Sequence, residues 1–213
     1  MKPRRGASVL NLGAAPPHLG TELLGSPNNL VEQPEQDPRW RALGVVGCNI
    51  SISDMRLYST SYEAKGFHAV VADAQGLPFA DQSFDIVFSN AVIEHLTKEG
   101  QQLMAKEITR VGRSWFVTTP NFWYPIEMHH KLPLFHFLPR ATQNFLQRTL
   151  KTWPEGEPIN LLTKRKLRAL LPGSNVSTLR VSFFPETLIA FGTASQISSQ
   201  SVNTKGQQPR TFA

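Results

Sequence analysis

The sequence predicts an α/β protein with a doubly wound, mostly parallel seven-stranded sheet, helices on both faces and an antiparallel C-terminal edge hairpin. Short apolar runs alternate with helical patterns through the first 120 residues, which is typical of parallel strands joined by helices. The runs at 68–72 and 85–89 are almost continuously apolar, as strands covered on both faces are. Two apolar runs near the C-terminus are separated by only two residues, which favours a hairpin.

The strands and helices follow one another in chain order. The predicted strands are residues 8–12, 45–50, 68–72, 85–89, 115–119, 176–184 and 187–193. The predicted helices are residues 18–24, 53–64, 98–111, 141–150 and 163–171. Ser53 is a suitable N-cap for its helix, and Pro120 ends the fifth strand because proline cannot donate to a ladder.

Three local features complete the assignment. In the helix at 98–111 the spacing directs Leu103, Ile108 and Val111 inward, whereas Lys106, Glu107 and Arg110 are able to face water. Residues 121–139 show no period and are expected to be a loop with short helical turns. Pro185 and Glu186 are expected to join the last two strands.

Length and composition indicate one folded domain. The chain has 213 residues, of which 40% are hydrophobic and 18% charged, as in globular proteins. Residues 1–194 are predicted to form the domain, and the Ser-, Gln- and Asn-rich residues 195–213 a disordered tail.

The lone Cys48 excludes an internal disulfide. No apolar run reaches the roughly 18 residues that cross a bilayer, and no signal core follows the start, so a cytoplasmic protein without a transmembrane segment is expected.

Charge is unevenly distributed along the chain. Residues 1–110 contain 10 Lys and Arg against 12 Asp and Glu, a net of −2, whereas residues 111–213 contain 12 against 4, a net of +8. A basic half is consistent with a solvated surface or with attraction to a nucleic acid, an anionic lipid or a phosphorylated substrate. The basic residues do not alternate with aromatic ones as a base-stacking surface requires, so nucleic acid is not the expected partner.

Compact polar groups follow two of the predicted strands. Asp73 comes after the third strand and Asn90 ends the fourth. Ligands of open α/β sheets bind just beyond the carboxyl ends of the strands. These two residues therefore mark the expected site, although a turn or helix cap is the alternative role for Asp73.

Residues 70–96 resemble the class I S-adenosylmethionine-dependent methyltransferases, most closely their broad small-molecule branch. The resemblance rests on Asp-Ala at 73–74, Leu-Pro-Phe at 77–79, Phe-Asp-Ile-Val at 84–87 and Asn-Ala-Val-Ile-Glu-His-Leu at 90–96. It extends more weakly over residues 7–193. It implies a Rossmann-like methyltransferase fold, S-adenosyl-L-methionine as cofactor, and methyl transfer to a small-molecule or lipid-like acceptor, with residues 121–172 as an acceptor-side insertion.

The resemblance also implies which residues hold the cofactor. Asp73 and Ala74 match the position that binds adenine, and Asn90 and Ala91 match the wall of the methionine site. The glycine-rich turn after the first strand corresponds to Gly13, Ala15 and the residues around them, and the ribose-binding position at the end of the second strand corresponds to Asn49.

The chain departs from the family pattern at several of these positions. Asn11 and Asn49 stand where acids are usual, and Ala15 and Pro17 stand where glycines are usual. An amide accepts a hydrogen bond more weakly than a carboxylate does. These departures leave open a second hypothesis, a non-catalytic relative that keeps the fold as a binding or scaffold module.

Three residues are candidates for acid–base chemistry near the acceptor. His95 follows the fourth strand, and its reference pKa near 6.5 suits deprotonation of a hydroxyl; capping a helix is its other possible role. Glu127 and His129 lie in the aromatic segment expected to roof the acceptor pocket. No further ligand set accompanies them, so no metal site is predicted.

The signature expected for methylation of base amines is absent after Asn90, and a homo-oligomer is left open.

Overall fold

The computed structural model describes residues 6–15, 44–62, 67–127, 132–150, 159–181 and 183–196. The strands are β1 (Ser8–Leu12), β2 (Gly44–Asn49), β3 (His68–Val71), β4 (Ile86–Asn90), β5 (Ser114–Pro120), β6 (Ile126–Glu127), β7 (Leu132–Pro133), β8 (Asn175–Val181) and β9 (Phe184–Thr193). The helices are α1 (Ile52–Tyr62), α2 (Lys98–Val111), α3 (Arg140–Leu150) and α4 (Lys164–Leu170), with short 3-10 turns at Ile93–His95 and Phe135–Phe137.

Seven strands form one sheet in the order β3-β2-β1-β4-β5-β9-β8. The first five of these strands in chain order are parallel, and β9 runs antiparallel between β5 and β8. The predicted fold, including the antiparallel C-terminal hairpin, is confirmed. Strand order reverses between β1 and β4, because β2 lies on one side of β1 and β4 on the other.

Helices cover both faces of the sheet. On one face α2 and α4 contribute Met104, Ile108 and Leu167 to a core that surrounds Trp115, and all four side chains are fully buried. On the other face Tyr58 of α1 belongs to a second buried cluster. The near-continuous apolar character of the central strands follows from this cover on both sides.

The inward stripe of α2 differs from the predicted one. Met104, Ile108 and Val111 are buried at the four- and three-residue spacing of one helical face, whereas Leu103 is 48% exposed. Glu107 and Arg110, predicted to face water, are ion-paired at 2.7 Å with side chains only 13% and 28% exposed. Both residues also form hydrogen bonds to the loop between β3 and β4, as described below. These bonds explain why charged side chains occupy half-buried positions on the helix.

The edge hairpin turns at a different place from the predicted one. Because β8 ends at Val181 and β9 begins at Phe184, Pro185 and Glu186 lie inside β9 rather than in the turn. Pro185 pairs with Arg180 beside a register shift in the β8–β9 ladder, and such irregularities are where strands tolerate proline.

Several predictions fall outside the described residues. These are the helix at 18–24 and residues 197–213 of the predicted tail. No helix within the described ranges is both long and apolar enough to span a membrane.

Candidate active site

The tips of β1 and β4 meet at the point where strand order reverses. Gly13, at the end of β1, has φ +77°, and a Cβ atom added to it would lie 2.3 Å from Cγ2 of Val92. Only glycine tolerates both the left-handed backbone and this approach. The backbone N–H groups of Gly13 and Ala14 donate to the carbonyl oxygen of Cys48 at 2.8 and 3.2 Å. Ala15, half-buried, is the last described residue of this turn.

Asp73 follows β3 with its carboxylate exposed at the same edge of the sheet. Its Oδ1 accepts a hydrogen bond from the backbone N–H of Gln75 at 2.9 Å, and both of its oxygens lie 3.2 Å from Gln75 Nε2. Two carboxylate oxygens offer about four acceptor positions, so the turn leaves room for another donor. The adjacent Ala74 packs against the core.

Asn49, at the tip of β2, uses both ends of its amide within the protein. Nδ2 donates to the Ala14 carbonyl at 3.0 Å, and Oδ1 accepts from the Ser51 N–H at 3.1 Å. The side chain therefore ties the end of β2 to the Gly13 turn. A carboxylate at this position would lack the donor and would face the Ala14 carbonyl oxygen.

Asn90 is the last residue of β4, and only one of the two polar groups of its side chain has a hydrogen-bond partner among the described residues. Its Oδ1 accepts from Thr118 Oγ1 at 2.5 Å, which orients the amide. The buried Nδ2 has no hydrogen-bond partner within the described part of the chain. Ala91 follows with φ +53°, and its N–H donates to the Thr118 carbonyl at 3.1 Å. An orphaned buried donor is costly, so this amide suits an acceptor supplied by a ligand.

The turn after β4 contains a buried acid next to a candidate base. Glu94 is fully buried, and its Oε2 accepts from Thr119 Oγ1 at 3.0 Å. His95 is half-buried, and its backbone N–H donates to the Val92 carbonyl at 3.0 Å. His95 thus lies in the turn three residues beyond Val92, which approaches Gly13, and its place at the mouth of the site stays a prediction.

The acceptor-side segment brings together Glu127, His136 and the ring of Phe122. Glu127 is 2% exposed. Burial lowers the pKa of His136, and the charge of Glu127 opposes this shift. The Phe122 and His136 rings lie 5.3 Å apart. His129 lies outside the described residues, and within the described ranges no group of three or more His, Cys, Asp and Glu is arranged to hold a metal.

Glu186 is a further candidate site residue, although the sequence predicted that it lies in a turn. It is 4% exposed, its Oε2 has no hydrogen-bond partner among the described residues, and burial raises its pKa. Burial raises the pKa of Tyr124, and the negative charge of Glu186 raises it further. The backbone of Asn121 donates to the Glu186 carbonyl at 2.7 Å, so this acid lies at the carboxyl end of β5. An acid within an apolar strand was the only available sequence signal.

An ion pair on α2 holds the loop between β3 and β4. Arg110 donates to the carbonyl oxygens of Leu77 and Phe79 at 3.0 and 2.7 Å, and Glu107 accepts from the Leu77 N–H at 2.7 Å. The guanidinium of Arg110 is the main reason that the pKa of Glu107 is lowered. This pair fixes the Leu-Pro-Phe segment that follows Asp73.

Solved structures that are similar to this chain in shape include methyltransferases of distant sequence. A SAM-dependent methyltransferase from Methanosarcina mazei is 17% identical, with a TM-score of 0.55, covering 90% of this chain and 95% of that one. The YcgJ protein from Bacillus subtilis is 14% identical, with a TM-score of 0.52, covering 83% of this chain. Phosphoethanolamine N-methyltransferase 2 from Haemonchus contortus, solved with S-adenosyl-L-methionine, is 14% identical, with a TM-score of 0.53, covering 83% of this chain.

These likenesses concern the fold. The chain spans 65% of the length of the Bacillus protein and 36% of the Haemonchus one. No curated protein is similar enough in sequence to match. A family model described as a methyltransferase domain matches residues 37–114, which begins after the Gly13 turn and includes β2 to β4. The chain therefore has the class I methyltransferase fold, and the methyltransferase-domain model matches it over the stretch that contains the motifs at 70–96.

Proposed function

We propose that this protein is an S-adenosyl-L-methionine-dependent methyltransferase that acts in the cytoplasm on a small-molecule or lipid-like acceptor. The observation that carries the proposal is the buried, unpartnered Nδ2 of Asn90, which lies where strand order reverses. Nucleotide-type ligands of open α/β sheets bind at this reversal.

The residues at the strand tips fit the chemistry of that cofactor. Asp73 offers acceptors to the exocyclic amine of adenine, and the N–H of Ala74 offers a donor to a ring nitrogen. The orphaned amide of Asn90 offers a donor to the methionine carboxylate, beside Ala91. The turn of Gly13 and Ala15 forms the floor between them. When bound, S-adenosyl-L-methionine supplies an electrophilic methyl group.

On the acceptor side we assign proton handling to His95 and Glu127, with His129 as a further candidate from the sequence. His95 lies at the strand tips, and a neutral imidazole can accept a proton from a hydroxyl or an ammonium group. Much of the acceleration of a methyl transfer can come from holding the reactants in line. Buried side chains such as Glu127 and Glu94 supply that rigidity.

Isothermal titration calorimetry with S-adenosyl-L-methionine tests the proposal. Wild-type protein is expected to bind, and Asp73→Ala to bind about 10- to 100-fold more weakly, because it loses a charge-assisted hydrogen bond. The matched control is Asp81→Asn, since this carboxylate is 78% exposed and surface ion pairs contribute little. Absence of heat at millimolar cofactor, or equal weakening in both variants, contradicts the proposal.

A second candidate, a binding module without methyl transfer, is favoured by one observation. Asn49, at the ribose position implied by the resemblance, has both ends of its amide bonded to Ala14 and Ser51. A pocket remodelled in this way keeps the fold while losing a cofactor contact. Calorimetry separates the two candidates, because a remodelled pocket gives no heat with either S-adenosyl-L-methionine or its demethylated product.

A further inference from the structure

A groove of about 900 Å³ lies between α2, α4 and the start of α3. Residues of both helices and of the segment at 159–162 form its walls, and the rings of Phe122 and His136 close one end. Gly13, Asp73 and Asn90 do not line it. Its volume is that of a ligand pocket, which typically measures about 300–1,000 Å³.

The charged residues that line the groove, among those the structure describes, are all cations. They are Lys98, Lys106, Arg140 and Lys166, and none of the described lining residues is Asp or Glu. None of the four forms an ion pair with a carboxylate anywhere in the described ranges. This face therefore offers several positive charges to an anion.

The other described lining residues are mixed, seven apolar and six polar. The large apolar ones are Phe122, Ile159, Leu161, Leu162 and Leu170, which are called the apolar floor below. Leu162 is buried and Leu170 packs against the core, so these groups are held in place by the fold. Cations around a fixed apolar floor are complementary to a molecule with a charged head and an apolar body.

We propose that this groove binds an anionic amphiphile, with a phosphate or carboxylate head held by the lysines and Arg140, and an alkyl chain on the apolar floor. A purely polar anion would leave the apolar floor unused, and a neutral hydrocarbon would leave the cations without partners. A nucleic acid would need exposed aromatics alternating with cations along a strand-sized surface, which the described lining residues do not provide.

The groove shares a wall with the turn that follows β4. Asn160 lines the groove, its backbone N–H donates to the Glu94 carbonyl at 2.7 Å, and its Nδ2 donates to the Leu96 carbonyl at 2.9 Å. Gln101, also in the lining, donates to the Ile93 and Asn160 carbonyls. The inference stands independently of methyl transfer, because it concerns binding at residues outside the strand tips.

Titration of decyl phosphate, kept below its micelle concentration, tests the charge of the groove. Lys166→Glu is expected to weaken binding about tenfold or more, because it replaces an attraction with a repulsion. Arg168→Glu, on the same helix with the same charge change but outside the lining, is expected to change binding less than about twofold. Equal weakening in both variants would show a diffuse charge effect and overturn the site.

A second variant and three further probes test the apolar floor and the source of the head group. Ala169 is exposed and lines the groove, so Ala169→Trp is expected to block the alkyl chain while the unfolding midpoint stays unchanged.

Inorganic phosphate and decanol, each carrying half of the ligand, are expected to bind at least about tenfold more weakly than decyl phosphate. Inorganic phosphate binding as tightly as decyl phosphate overturns the proposal, as does binding only to phosphatidylglycerol vesicles.

Discussion

Asn49 shows how a single side chain can differ from the family pattern and still have a hydrogen-bond partner at each end of its amide. An amide has a donor and an acceptor, whereas a carboxylate has only acceptors. The Ala14 carbonyl uses the donor and the Ser51 N–H uses the acceptor. The departure from the family acid therefore stabilises the Gly13 turn, where Ala15 and Pro17 replace the usual glycines.

We expect Asn49→Asp to lower the free energy of unfolding by about 1–3 kcal/mol, because it removes one hydrogen bond and places a carboxylate against a carbonyl oxygen. Urea denaturation at pH 7 measures the change. The matched control is Asn144→Asp, an exposed amide on α3, which should stay within about 0.5 kcal/mol of wild type. A variant as stable as wild type would show that the Ala14 contact contributes nothing.

At the scale of elements, the last turn of α2 positions the loop that carries the proposed adenine site. Arg110 and Glu107 together bond the backbone of Leu77 on both its N–H and its carbonyl. The loop from Asp73 to Phe79 has no regular hydrogen-bond ladder, so its shape depends on such contacts. Arg110 thus holds the end of the loop that begins at Asp73.

We expect Arg110→Met to lower the free energy of unfolding by about 1–3 kcal/mol, because it leaves the half-buried Glu107 and two carbonyl oxygens without their partner. It should also weaken S-adenosyl-L-methionine binding, measured by calorimetry on the folded variant. Lys106→Met, an exposed cation on the same helix, is the control and should leave both quantities nearly unchanged. Loss of stability with cofactor affinity intact would restrict Arg110 to a structural role.

The stability difference between wild type and Arg110→Met should also depend on pH. Arg110 lowers the pKa of Glu107 in the folded protein, so this pair stabilises the fold above the unfolded pKa of about 4.3. The contribution is lost as pH falls through the lower, folded pKa. The difference in unfolding free energy should therefore shrink between about pH 5 and pH 2, and a difference that grows on acidification would contradict this assignment.

The elements that sequence periodicity defines well were predicted well. β1 at Ser8–Leu12 and α2 at Lys98–Val111 match the predicted bounds, because a short apolar run and helical apolar spacing are local signals. The turn of the edge hairpin was predicted wrongly, since Pro185 suggested a break while the ladder accommodates it beside a register shift. Glu107 and Arg110 have the i,i+3 spacing of a helical ion pair, but their burial depends on bonds to a loop about 30 residues earlier, which helix periodicity does not encode.

At the scale of the whole molecule, the topology decides which predicted site residues are neighbours. Each polar tip comes directly after an apolar run, so the sequence predicted that Asp73 and Asn90 lie at the same edge of the sheet. The reversal of strand order puts β4, which ends in Asn90, next to β1, whereas Asp73 follows β3, with β2 and β1 between it and β4. Glu186 could not be predicted in this way. Its burial requires β9 to pack beside Asn121, a contact between residues 64 apart in sequence.

The central claim is that the orphaned amide of Asn90 meets a ligand at this reversal, and its side-chain ¹⁵N–¹H signals report on that directly. They are assigned by their loss in Asn90→Asp and followed while S-adenosyl-L-methionine is added. The account predicts that both amide signals of Asn90 shift to saturation with the calorimetric affinity, while those of the exposed Asn144 stay fixed. Saturable cofactor binding with the Asn90 signals unmoved would contradict it, as would no binding at all.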